Sequence, residues 1–442
     1  MRRLWCERAI LPAGVAIGVS IDITQDRISA VTPNTELSPE RERLIGVTTP
    51  GFANTHSHAF HRALRGRTHH GTGDFWTWRT QMYQLADQLN PDNYFALARA
   101  VFAEMLLAGF TCVGEFHYLH HQPNGRPYNE PNAMGAAIIA AASDAGIRLT
   151  LLDACYLQGG FGLPVESCQQ RFSDTTADRW LARVAQLGGD ALVRIGAALH
   201  SVRAVPADQM LPVVDFAAGT AMPLHAHVSE QPLENAQTRE LHGCSPTQLL
   251  ATHGALSAQF TAVHATHIDR GDIELLRAAE TSVCFCPTTE RDLADGIGPS
   301  VALAKAGVRL CVGSDSHAMI DPFEEMRAIE LNQRLITLGR GNHPTDELFA
   351  SGTAHGYRSL GWQGGAIAPG MLADLCTVSL NSVRLAGTDG GDLVAALLFA
   401  GTPSDVQTVI VGGATLVSQG RHVRLDVGKE LSQSISAVHS YA

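Results

Sequence analysis

Lysine is almost missing from this chain: it occurs twice in 442 residues, as Lys305 and Lys429, and no cluster of arginines takes its place. The formal charge is −11. Binding a phosphate backbone needs a concentrated row of cations, so a nucleic-acid partner is not expected. No run approaches the ~20 uninterrupted apolar residues of a membrane span, so no membrane partner is expected either and the chain reads as soluble. The nine cysteines form no C-x-x-C pair, the closest being Cys284 and Cys286. That argues against a disulfide framework and fits reduced thiols in a cytoplasmic protein. Internal repeats, low-complexity tracts and coiled-coil heptads are also lacking. The N-terminal "MRRLWCERAILPAGVAIGVSIDI" has two arginines before apolar residues, but Glu7, Arg8, Pro12 and two glycines interrupt it. It reads as strands rather than as a signal peptide.

What is present suits a globular enzyme. Hydrophobic residues make up 45%, charged residues 17%, and 42 glycines supply tight turns. The length exceeds one ordinary core but suits a barrel of roughly 250 residues with a smaller domain beside it. Eight short apolar runs recur, each separated from the next by a segment that can hold a helix: Gly46 to Pro50, Thr111 to Gly114, Leu149 to Ala154, Val193 to Leu199, Met222 to Leu224, Phe260 to Val263, Val283 to Phe285 and Arg309 to Gly313. This is the texture of an α/β chain closing into a (β/α)8 TIM-like barrel. The clearest helix is "NPDNYFALARAVFAEMLLAG", where Asn90 can cap, Pro91 suits the first turn and Gly109 ends it, with Phe95, Val101, Phe102, Met105 and Leu106 free to face a sheet. Residues 1–48 and 366–442 are strand-like and broken by Gly and Pro, so both chain ends are expected to build one small β-sandwich domain flanking a barrel over 49–365.

In a strand, residues two apart point the same way, so His56 and His58 in "PGFANTHSHAFHRALRG" can converge on one ion. A lone H-x-H more often caps a strand end, so partners are required. Catalytic groups of such a barrel lie just past the strands. There the chain offers "PLHAHVSEQ", with His225, His227 and Glu230; "AVHATHID", with His264 and His267; and "CVGSDSH", with Asp315 and His317. Several imidazoles and a carboxylate suit Zn²⁺ or a similar ion with a position left for water. Spacing does not choose His227 over His225, or His264 over His267.

These residues resemble the amidohydrolase superfamily, in its deaminase branch, over nearly the whole chain. The resemblance implies that His56, His58, His227 and Asp315 bind the metal, that Glu230 shuttles protons and that His264 polarises the substrate; Glu230, His264 and Asp315 form the catalytic set. His225, His267 and His317 are then structural imidazoles. Binuclear members use a carboxylated lysine at a strand end. Lys305 lies in a helical segment and Lys429 in the C-terminal tail, so one divalent metal ion, Zn²⁺, is expected.

The segments "HSHAF" with "RALRG", "DFWTWR", "GEFHYLHH", "HAHVSEQ", "VHATHID", "CPTTE" and "GSDSHA" are similar to those of the formimidoylglutamate deiminases of histidine degradation. That resemblance implies hydrolysis of N-formimino-L-glutamate, a small dicarboxylate amidine, to N-formyl-L-glutamate and ammonia, by a homodimer. A dicarboxylate needs cations and donors. Arg79, Tyr118, His200 and Arg203 are the expected substrate-binding residues, together with His61, which stands where the resembling proteins carry glutamine. A neutral imidazole offers one donor and one acceptor, fewer than an amide, so substrate contacts there are expected to differ. The pairs His69–His70 and His120–His121 read as solvated loop residues, and Cys284 and Cys286 as core thiols. Two other readings stand beside the first: an aminohydrolase of a cyclic amidine such as guanine or cytosine, which would favour aromatic stacking over paired arginines, and an inactive structural homologue, which would lack one of Glu230, His264 or Asp315. All three are present.

Overall fold

The computed structural model describes residues 1–69, 72–388 and 391–440. Four strands open the chain: β1 (Arg2–Leu11), β2 (Gly14–Thr24), β3 (Arg27–Thr32) and β4 (Glu42–Pro50). The barrel follows as β5 (Phe52–Ser57), β6 (Phe110–His117), β7 (Arg148–Cys155), β8 (Val193–Ser201), β9 (Leu224–Val228), β10 (Phe260–His264), β11 (Ser282–Phe285) and β12 (Arg309–Val312). These eight pair in sequence order, every ladder parallel. Their side chains are buried almost throughout, as expected of strands with a packed interior on one face and helices on the other.

One sequence expectation needs correction. The run Gly46 to Pro50 ends β4, which pairs with the C-terminal strands, and the first barrel strand is β5, one residue further on. Only Gly51 separates them, and a side chain there would meet Thr111. Two adjoining buried strands read as one apolar stretch, so hydrophobicity could not divide them. The other seven runs fall within or against β6 to β12.

The helix Pro91–Ala108 forms as its sequence dictates. The Asn90 side chain accepts from the N–H groups of Asp92 and Asn93, Pro91 opens the first turn, and Gly109 at φ +99° ends it. Val101, Phe102, Met105 and Leu106 are buried, while Phe95 is only partly covered. No described helix is long and apolar enough to cross a membrane.

The chain ends meet in a second sheet through β13 (Leu375–Val378), β14 (Val406–Val411), β15 (Ala414–Ser418) and β16 (Arg421–His422), in the order β16-β15-β14-β13-β4-β1-β2-β3. It is one continuous mixed sheet with its own core, in which Leu4, Val19, Ile21 and Leu44 pack with Leu375 and Ile410. A final helix, Val427–His439, lies against the helix Pro91–Ala108. Arg148, at the start of β7, joins barrel to sheet: fully buried, it donates to both oxygens of Asp374 at 2.9 and 3.1 Å. Asp374 also accepts from Tyr357 Oη and from the Gly412 N–H.

Candidate active site

The first and last barrel strands meet at their C-terminal ends. Asp315 N–H donates to the carbonyl of His56 at 3.0 Å, and His58 N–H donates to the carbonyl of Asp315 at 3.2 Å. The Asn54 side chain staples the seam by donating to Ser314 Oγ at 2.6 Å and accepting from Ser314 N–H at 3.0 Å. Buried Glu115 accepts from Ser57 Oγ and from the Ala59 N–H, fixing the turn that carries His58. Several strand-end residues here, Ser229 (φ +51°), His264 (+69°) and Asp315 (+42°), hold left-handed backbone that non-glycine residues adopt at a cost of about 1–3 kcal/mol.

His56, His58, His227 and Asp315 converge, all buried. His58 Nδ1 faces the carbonyl of Phe116 at 2.9 Å, and His227 Nδ1 faces that of His200 at 2.9 Å. A carbonyl only accepts, so both rings carry their proton on Nδ1 and turn a lone pair outward at Nε2. His227 Nε2 lies 3.1 Å from His56 Nε2, and Asp315 Oδ1 lies 3.4 Å from the Nε2 atoms of His56 and His58. Tetrahedral bonds of about 2.0–2.1 Å to one ion place neighbouring donors about 3.4 Å apart, so this donor set fits a metal ion. Burial lowers the pKa of all three imidazoles, that of His58 to about 3, which keeps them in the neutral form a metal requires.

A second cluster, His117, His120 and Asp153, has comparable proximity. Its carboxylate is already occupied: Asp153 accepts from Arg183 at 2.8 and 2.9 Å and from Trp180 Nε1 at 2.9 Å. No cation is needed there.

Glu230 follows β9 and His264 ends β10. His264 Nε2 lies 3.8 Å from both Glu230 Oε1 and Asp315 Oδ2, and its Nδ1 lies 3.4 Å from Glu290 Oε1. Burial alone would lower the pKa of His264, but the surrounding carboxylates of Glu230, Glu290 and Asp315 raise it to about 10. Burial raises that of Glu230, against the pull of His264 and Arg203. An acid, a base and a metal-donor set thus share one enclosure.

Every expected substrate-binding residue lines the same cavity: His61, Arg79, Tyr118, His200 and Arg203. His61 Nε2 is 3.0 Å from Tyr118 Oη, while its Nδ1 is buried without a hydrogen-bond partner among the described residues. Arg203 is engaged within the protein, with Nε donating to Glu234 Oε2 at 3.0 Å and Nη2 lying 3.6 Å from Glu230 Oε2. Arg79 stacks on Trp76 and Tyr83, 4.5 and 5.5 Å from the ring centroids, and has no acidic partner among the described residues. Trp78, Tyr83, Tyr156 and Phe172 add an aromatic wall that composition did not reveal.

The remaining imidazoles divide. His225, His267 and His317 are held by protein groups: His225 by the Ser359 carbonyl, His267 by that of Asp295, and His317 by Ser57 and Ser314. His120 and His121 are not solvated, contrary to expectation. Both are buried, His120 against the Ala154 carbonyl and His121 against Asp174, because the segment after β6 folds under an ion network centred on Arg183. His69 is exposed beside Asp292, and His70 lies outside the described residues. Cys284 and Cys286 are buried thiols.

Residues 47–416 match the amidohydrolase family, and the chain belongs to it. Among curated relatives, it is 36% identical over 437 residues to the formimidoylglutamate deiminase of Pseudomonas aeruginosa, covering 96% of each chain. It is 29% identical over 395 residues to the 5-methylthioadenosine/S-adenosylhomocysteine deaminase of Pelotomaculum thermopropionicum, covering 88% of this chain and 84% of that one. Among solved structures, an amidohydrolase from Brucella melitensis superposes with a TM-score of 0.92 at 32% identity, covering 99% of this chain and all of that one. A zinc-bound adenosine deaminase from Xanthomonas campestris shares the fold at a TM-score of 0.86 and 22% identity, covering 99% and 98%.

Proposed function

We propose that this enzyme hydrolyses N-formimino-L-glutamate to N-formyl-L-glutamate and ammonia with one Zn²⁺ ion held by His56, His58, His227 and Asp315. The observation that carries this reading is Arg79: a guanidinium without an acidic partner among the described residues lines the cavity that also holds the metal donors. An unpaired cation in a site of several carboxylates is suited to an anionic substrate. Similarity to a formimidoylglutamate deiminase over 96% of both chains supports it.

When bound, the ion supplies Lewis-acid activation of a water molecule. Asp315 accepts the water proton through Oδ2, the oxygen nearer His264. His264 stabilises the charge that develops as water oxygen adds to the imino carbon. Glu230 relays two protons to the departing nitrogen, the one taken up by Asp315 and the one left on the added oxygen, so that the imino group leaves as ammonia while the carbon–oxygen bond becomes the formyl group. Arg79, Tyr118, His200 and His61 orient the dicarboxylate, and Arg203 contributes while tethering Glu230 and Glu234. The two lysines lie in the helix Ser300–Ala306, which leads into the start of β12, and in the C-terminal helix, and neither follows the C-terminal end of a barrel strand, which supports a single ion.

One observation favours a second reading. The wall of Trp78, Tyr83, Tyr156 and Phe172 could stack a flat heterocycle, and relatives include deaminases of adenine-containing compounds. Product analysis tests the first reading. Metal-loaded enzyme incubated with N-formimino-L-glutamate should yield N-formyl-L-glutamate and ammonia in equal amounts, with one equivalent of zinc by elemental analysis. Formamide and glutamate as products, or two ions required for turnover, would contradict it.

A further inference from the structure

Glu290 is a buried carboxylate next to the site that the mechanism above does not use. It sits in the short helix Pro287–Asp292 after β11, within the "CPTTE" segment. Its backbone N–H donates to the Cys286 carbonyl at 2.9 Å, and its Oε1 accepts from the Cys286 N–H at 2.9 Å. The carboxylate is therefore fixed to the end of β11 from two directions. The same Oε1 lies 3.4 Å from His264 Nδ1. The opposite ring nitrogen, Nε2, faces Glu230 and Asp315, each at 3.8 Å, and His264 lines the cavity.

We propose that Glu290 is a positioning residue for His264, holding its Nδ1–H so that Nε2 presents toward the cavity between Glu230 and Asp315. His264 needs such a partner because it is the last residue of β10 and stands at φ +69°, where the regular alternation of the strand no longer sets the direction of its side chain. A carboxylate behind a catalytic imidazole fixes both which nitrogen carries the proton and the direction of the ring plane. The proposal rests on the reading of His264 as the group that meets the substrate; the placement of its ring is tested separately.

The spectroscopic test uses the metal-loaded full chain with ¹⁵N-labelled histidine. The Nδ1–H resonance of His264 is assigned by its loss in His264→Asn. It should persist in Glu290→Gln, whose amide oxygen can still accept at the same place, and should vanish or move strongly upfield in Glu290→Ala. Glu290→Met, which fills the volume without an acceptor, is the paired variant should the alanine protein fold poorly. Kinetically, Glu290→Ala should lower kcat about 10–100-fold with metal content unchanged and KM within about twofold, and Glu290→Gln should restore most of kcat. In the His264→Asn background the alanine change should cost nothing further. A resonance unmoved by Glu290→Ala and Glu290→Met, or the same fold-loss in both backgrounds, would overturn the proposal. Full activity of His264→Asn would instead remove His264 from the mechanism and leave the resonance to decide its placement.

Discussion

The backbone of Asp315 is bonded to that of His56 at the seam where the first and last strands of the barrel meet. The N–H of Asp315 donates to the His56 carbonyl at 3.0 Å, and the side chains of the same two residues approach to 3.4 Å. Barrel closure and assembly of the metal-donor set are therefore one event, although 259 positions of chain separate the residues.

Gly313 makes that seam possible. A Cβ there would stand 2.7–2.8 Å from the His56 backbone and Cβ. Gly313→Ala should push the strands apart, cost about 1–3 kcal/mol and lower metal content. Calorimetry and elemental analysis check this; a stable variant with full metal would show that the seam does not set the donor geometry.

Glu230→Gln keeps the side chain's shape and removes its ability to carry a proton. Metal content should stay near normal while kcat falls by about 10² or more. Undiminished turnover would take Glu230 out of proton transfer.

Arg79 and Arg203 should separate in stability. Arg79→Met removes a cation with no acidic partner among the described residues, so unfolding should change little while kcat/KM on the dicarboxylate falls steeply, by about 2–5 kcal/mol in transition-state binding. Arg203→Met leaves Glu234, itself buried and clamping the Ser229 N–H, without its partner, and should destabilise the fold by about 3–5 kcal/mol as well. Equal stability of the two variants would mean that the Arg203–Glu234 pair holds nothing in place.

At the other end of the barrel, Asp374→Asn should leave Arg148 buried with a weakened partner. Breaking a buried pair of this kind costs about 3–5 kcal/mol. Thermal unfolding should shift down while kcat stays near normal, because the pair lies at the start of β7, away from the strand ends that carry the site. A kcat loss without a stability loss would contradict that separation.

Much of this was legible in the chain. The donors His56, His58, His227 and Asp315 are marked by their position after apolar runs, and the choice of His227 over His225 came from resemblance because both lie on one face of β9. The structure separates them by partner, His225 against the Ser359 carbonyl and His227 against His56. Glu290 lies within "CPTTE" yet carries no signal of its own, since a Glu in a first helical turn is common. Burial of His120 and His121 depended on Arg183, more than 60 positions away in sequence. The break between β4 and β5 was hidden because periodicity reports burial and not the identity of the sheet.

If Arg79 reads the substrate, the cavity selects a dicarboxylate amidine. The most direct measurement is kcat/KM for ammonia release by the metal-loaded enzyme from N-formimino-L-glutamate, set beside 5-methylthioadenosine, guanine and cytosine under the same conditions. Turnover of N-formimino-L-glutamate should be at least about 10³-fold more efficient than that of any ring substrate, the scale expected when a half-buried cation lining the cavity is left unpaired by a neutral ligand. Efficient deamination of a heterocycle with none of the dicarboxylate would contradict it and make the aromatic wall, not Arg79, the feature that reads the substrate.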